Sequence, residues 1–63
     1  MLDEHAIDLI AGWERSLATM KSPWREAQKD EIRVARSDAA SSPLFSAEYK
    51  RLFIAEIDRL LAL

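Results

Sequence analysis

His5 is the only histidine in this 63-residue sequence, and there is no cysteine to share the work of nucleophile, base or metal ligand. Asp3, Glu4 and Asp8 lie close to it in sequence. One imidazole with carboxylates at a chain end is a poor metal site, because transition metals are held by several convergent nitrogen or sulfur donors. Neither a Glu-x-x-His pair nor a His-Glu-x-x-His motif is present. Of the six serines, Ser22, Ser42 and Ser46 sit where helices are expected to begin, and none has a base at fixed spacing beside it. Glu26, Asp30 and Glu31 could pair as acid and base, but Lys29 and Arg33 interleave with them and no apolar run surrounds them to raise a pKa. The single glycine rules out a glycine-rich phosphate loop. The expectation is a protein that is not an enzyme and carries no metal and no cofactor.

Recognition chemistry is better represented. Arg25, Lys29, Arg33 and Arg36 follow one another at spacings of four, four and three, which places them within about 80° on one side of a helix. Like charges four apart repel by a few tenths of a kcal/mol, so the stripe is either a solvated face relieved by Glu26 and Asp30 or an electrostatic contact to an acidic partner. A net charge of −2 and a pI near 5.2 favour protein over nucleic acid as that partner. Trp24, in the first turn after Pro23, could be a lid on the core or a binding anchor. Leu44 and Phe45 pose the same question at the next junction. Trp13 reads as a core tryptophan beside Gly12, whose missing side chain would let another helix come close.

The elements that carry these residues are helical. The sequence holds one glycine, two prolines and one valine, and alternation of period two never persists. Ser22-Pro23 and Ser42-Pro43 divide it into thirds, each pair ending one segment and opening the next with a serine cap and a proline in the first turn. A first helix is expected over 4–21, with Asp3 as N-cap and Leu2 closing on Ile7 as a hydrophobic staple. Ala6, Ile10, Trp13, Leu17 and Met20 form its seam. A second is expected over 23–39, with a thin inward face of Trp24, Ala27, Ile32, Val34, Ala35 and Ala39, followed by a linker to Ser42. The third starts at 43 or, if Ser46 is the cap, at 47, and runs to 62.

On that third helix Phe45, Tyr49, Leu52, Phe53, Ile57 and Leu60 share a face, which Ile54 and Leu61 widen to roughly 200° of arc. A face this wide exceeds what one small neighbour covers. The fold is therefore expected to be all-α, a helical hairpin or three-helix arrangement completed by homodimerisation, with Ile54, Ile57 and Leu61 in self-association. The segment Leu52 to Leu60 resembles the second helix of small helical-hairpin inhibitors of bacterial kinases, over nine residues and in a pattern any amphipathic helix shares, so it assigns no family. The longest apolar runs are four residues, against roughly 20 for a membrane span, and the acidic start is unlike a signal peptide. With no cysteine, a cytoplasmic chain is expected.

Taken together, these features read as a small bacterial or phage-type regulator, inhibitor or assembly factor that binds a larger protein. Its expected anchors are Trp24, Leu44, Phe45, Tyr49 and Ile54, oriented by Arg25, Lys29, Arg33 and Arg36. The rival readings are a nucleic-acid-associated regulator that uses the basic stripe and a structural subunit of a larger complex.

Overall fold

Asp3 caps the first helix as its position implies. In the computed structural model, which describes residues 1–63, its Oδ1 accepts a hydrogen bond from the Ala6 amide at 2.9 Å. Helix α1 then spans Glu4–Thr19 and buries Ala6, Ile10 and Leu17. It ends two residues before the expected 21: the Met20 amide closes on the Ser16 carbonyl, and Thr19 Oγ1 donates to the Arg15 and Ser16 carbonyls of the last turn. The Ser16 carbonyl is the first of the four that a helix ending at Thr19 leaves without intrahelical partners.

Helix α2 spans Trp24–Ser41. Ser22, expected as its cap, makes no capping hydrogen bond; Pro23 itself occupies the cap position, the Ser22–Pro23 bond is cis, and the Arg25 amide donates to the Lys21 carbonyl. The helix continues past the expected stop at Ala39. Ser41 Oγ donates to the Ser37 and Asp38 carbonyls in the final turn, so the connection begins only at Ser42. Its inward face is narrower than expected. Ile32 and Ala39 are buried and Ala35 half-buried, whereas Trp24, Ala27 and Val34 are exposed. Ile32 and Val34 are two residues apart, roughly 200° around a helix, and cannot both face the core.

Helix α3 spans Ala47–Leu61, and Ser46 is its cap, with Oγ accepting from the Tyr49 amide at 3.1 Å. Ser42 does a different job, its Oγ accepting from the Leu44 amide at 3.2 Å to close a serine turn. Residues 43–46 are thus a turn and not the first turn of a helix.

The three helices form a bundle in which each packs on the other two, α2 and α3 most extensively. Helix α2 runs antiparallel to its neighbours: Arg25 near its start reaches Leu17 and Leu63, while Tyr49 near the start of α3 reaches Asp3 at the start of α1. The bundle measures 34 × 20 × 16 Å. Eight apolar residues form the core, Ala6, Ile10, Leu17, Ile32, Ala39, Phe53, Ile57 and Leu60. The exposed surface is 4434 Å², against roughly 4,100 Å² for a compact chain of this mass, so this short chain closes on itself nearly as far as its size permits.

That closure corrects one expectation. Ile57, assigned to self-association, has no exposed surface. Its wide apolar arc is covered from two sides at once, by α1 on one flank and α2 on the other, and so needs no second chain at that position. Ile54 and Leu61 on the margins of the arc are half-buried.

Candidate interaction surfaces

The Leu44 turn is the most exposed apolar feature held by defined hydrogen bonds. Leu44 is 89% exposed, between a serine turn that fixes its amide and the Ser46 cap that starts α3. Phe45 beside it leans on Tyr49 with ring centroids 4.5 Å apart; Tyr49 in turn lies 6.1 Å from Phe53, and Phe53 lies 6.4 Å from Trp13. Pairs at such spacings add about 0.5–1.5 kcal/mol each beyond area burial. The row runs from the turn into the core and braces the base of the turn. Tyr49, expected as a partner anchor, is half-buried against the core and donates its hydroxyl to Asp3 Oδ1 at 3.4 Å. Its pKa is raised by burial first, then by the Asp3 charge and the hydrogen bond to it.

Trp24 is 71% exposed, but at the other end of the bundle. The 18 residues of α2 put about 27 Å between the two ends, so Trp24 and Leu44 do not share one contact surface. Ile54 is half-buried on the flank of α3. The expected anchors therefore divide into an exposed pair at the turn, a lone tryptophan at the far end, and two residues engaged with the chain itself.

The basic stripe is largely committed within the chain. Arg25 Nη1 donates to the Leu17 carbonyl at 2.8 Å and Nη2 to the main-chain oxygen of Leu63 at 2.6 Å. Arg33 pairs with Asp30 on its own helix. Arg36 grips Asp58 through Nε at 2.8 Å and Nη2 at 3.4 Å, tying α2 to α3. Only Lys29 makes neither an ion pair nor a side-chain hydrogen bond, and Glu26, expected to relieve the stripe, pairs with none of its members. The partner of Arg36 lies 22 residues away on another helix.

A second tie joins α1 to α3. Arg59 sits between Glu14 Oε1 and Glu56 Oε2, each at 2.8 Å, and its pKa is raised by the hydrogen bonds to Glu56 and then Glu14. These three side chains, with Leu2, Ile7, Ile10 and Ala11, line an open groove of about 250 Å³ between α1 and α3. Leu2 and Ile7 were expected to close on each other; they flank this groove, and Ile7 remains 52% exposed. Sequence reasoning missed the groove. The one signal available for it was Ile7, an apolar residue three positions before Ile10 that lies off the seam of Ala6, Ile10 and Leu17.

Trp13 is half-buried against the core, as a core tryptophan with an exposed rim should be. Gly12 departs from expectation, because a Cβ built there meets nothing within 4 Å and no helix of this chain uses its missing side chain. No group of three or more His, Asp or Glu side chains converges to hold a metal ion, and no helix is long and apolar enough to cross a membrane.

The Arg36–Asp58 tie carries a pH dependence whose sign follows from its cause. The Asp58 carboxyl is held below the ordinary aspartate value by the hydrogen bond from Arg36 and then by the guanidinium charge, against an opposing effect of desolvation. A depressed carboxyl stabilises the fold above its unfolded pKa and stops doing so as pH falls through its folded value. The urea midpoint should therefore decline as pH drops below the ordinary aspartate value, and Asp58→Asn should flatten that limb. An Asp58→Asn profile that parallels the wild type would remove this tie from the acid response.

Comparison of the chain with protein families, with curated proteins and with solved structures finds no match, so the functional reading rests on the surfaces themselves.

Proposed function

We propose that this chain is a small non-enzymatic binding module that docks on a larger protein, with the Pro43–Leu44–Phe45 turn as the inserted element. The observation that carries the reading is Leu44, 89% exposed on a turn pinned from both sides by the Ser42 and Ser46 hydroxyls. Exposed leucines are common singly. Here the backbone under the leucine is ordered beforehand, so little conformational entropy is lost when it enters an apolar pocket. Phe45, 36% exposed and braced by Tyr49, supplies an aromatic shoulder to the same contact. Such a protein would act by occupying a surface, as a regulator, inhibitor or assembly factor. Self-association belongs to the same reading, since a core of eight residues leaves a chain this small only marginally stable alone.

The test compares proteins captured by the wild-type chain with those captured by Leu44→Glu and by Val34→Glu, a change at an exposed position on the middle of α2. Loss of partners with Leu44→Glu alone is the expected result, at about a hundred-fold in affinity if Leu44 fills a desolvated pocket. Equal capture by all three proteins, each helical by circular dichroism, sinks the reading.

A further inference from the structure

Gly12 lies in the middle of α1, where glycine is among the least favourable residues for a helix, and nothing in its own chain approaches the space its side chain would fill. The two charges nearest to it along the same face are also without partners. Asp8 and Arg15 form no ion pair within the chain. They are seven residues apart, about 10 Å along the helix axis, and so cannot reach each other. By helical rotation both point directly away from the buried stripe of Ala6, Ile10 and Leu17, within about 20° of one another. Ala11 and Gly12 lie between them along the axis and to either side of them around it.

This pattern is self-complementary. If a second α1 lies antiparallel across the first, with the two-fold axis passing between Ala11 and Gly12, each Asp8 faces Arg15 of the other copy. Both unpartnered charges are then satisfied twice by one symmetry operation, as an isologous interface requires. Ala11 and Gly12 at the crossing leave the room that lets two backbones come close. Ile7 and Leu9, 52% and 39% exposed, border the strip on its two sides and gain cover from the same approach. A parallel arrangement would instead set Asp8 against Asp8 and Arg15 against Arg15.

We infer that the outward face of α1 is a two-fold docking surface for a second copy of this chain, antiparallel and centred on Ala11–Gly12. The inference deepens the self-association part of the reading above and leaves the Leu44 turn outside the interface. The whole of α1 is only about 24 Å long, so its outward face is small against a standard interface of roughly 800 Å² per partner. The dimer is therefore weak, forming between micromolar and millimolar concentrations, and added salt loosens it because its ion pairs are solvent-accessible.

Sedimentation equilibrium across that range tests it with four proteins: the wild type, Asp8→Arg, Arg15→Asp, and the variant carrying both changes. Both positions are exposed, and circular dichroism establishes that each protein is folded. Each single change places like charges opposite each other twice and should weaken association about ten-fold. The double change restores opposite charges and should return association to within about three-fold of wild type. Gly12→Leu, which meets open space within its own chain, should weaken the dimer while the helix content holds or rises. A wild type that stays monomeric at millimolar concentration overturns both this face and self-association. Association indifferent to the single changes overturns the face and leaves self-association standing elsewhere. Weakening by both single changes without restoration in the double variant overturns the antiparallel register.

Discussion

Ile57→Ala should leave the chain largely unfolded at room temperature. Ile57 has no exposed surface and is one of four side chains, with Leu17, Ile32 and Leu60, that are sealed completely. Truncating such a residue costs about 2–5 kcal/mol, from the lost transfer of the removed atoms and the cavity they leave. A domain of this length holds roughly 3–9 kcal/mol in total, and small domains without disulfide or metal sit at the low end of such ranges. Relief by collapse is limited, because the helix bearing Ile57 is packed on both sides and cannot shift toward one neighbour without leaving the other. The measurement is a thermal melt followed at the helical circular dichroism band. The wild type should give a cooperative transition and Ile57→Ala little or none, whereas Val34→Ala on the exposed side of α2 should move the midpoint only slightly. A cooperative Ile57→Ala melt near the wild-type midpoint would place that side chain outside the stabilising core.

Arg25→Met should give the second-largest effect and the more informative one. The substitution keeps an unbranched apolar stem and removes only the guanidinium, so packing changes little. What disappears is the link between three elements, the donation from α2 to the Leu17 carbonyl in α1 and to the main-chain oxygen of Leu63 beyond α3. Hydrogen bonds from a charged donor contribute about 1.5–3 kcal/mol each where shielded and less where wet. One of these is partly buried and the other exposed, which puts the expected loss at roughly 1–3 kcal/mol for the pair. A urea titration reads the total, and hydrogen exchange locates it, with protection falling in the last turns of α1 and α3 before the middle of the helices. Lys29→Met, one turn further along α2, makes no ion pair to lose and serves as the control. Equal stability of Arg25→Met and wild type would return Arg25 to the solvated stripe that its spacing alone describes.

The contrast between those two cations marks where sequence reading stopped. The start of α1 was legible because its signals are local: Asp3 before an unbroken apolar seam leaves one solution for the cap. The start of α3 was not, since Ser42 and Ser46 offer the same chemistry four residues apart and only the path of the turn decides between a serine turn and a cap. In α2, Ile32 and Val34 compete for the inward face, and the neighbour that selects Ile32 is not visible in the segment itself. The arc on α3 is too wide for one partner and packs on both α1 and α2, yet its width says nothing about whether the second partner comes from the same chain. Ile57 was misplaced for that reason. The candidate surfaces were less legible still: the arginine stripe has perfect spacing for an external contact, and its true partners, the Leu17 and Leu63 oxygens and Asp58, lie 8, 38 and 22 residues away.

The placement of the two tryptophans also hands the experimenter a pair of independent reporters. Trp13 leans on Phe53 at the margin of the core, and Trp24 stands in solvent at the end of the bundle remote from Leu44. Fluorescence from Trp13 follows unfolding, while that from Trp24 answers to anything seated at its own pole and stays silent when a ligand engages the opposite one. Single Trp→Phe variants would thus tell melting apart from docking, and one pole of the molecule from the other, with no dye attached.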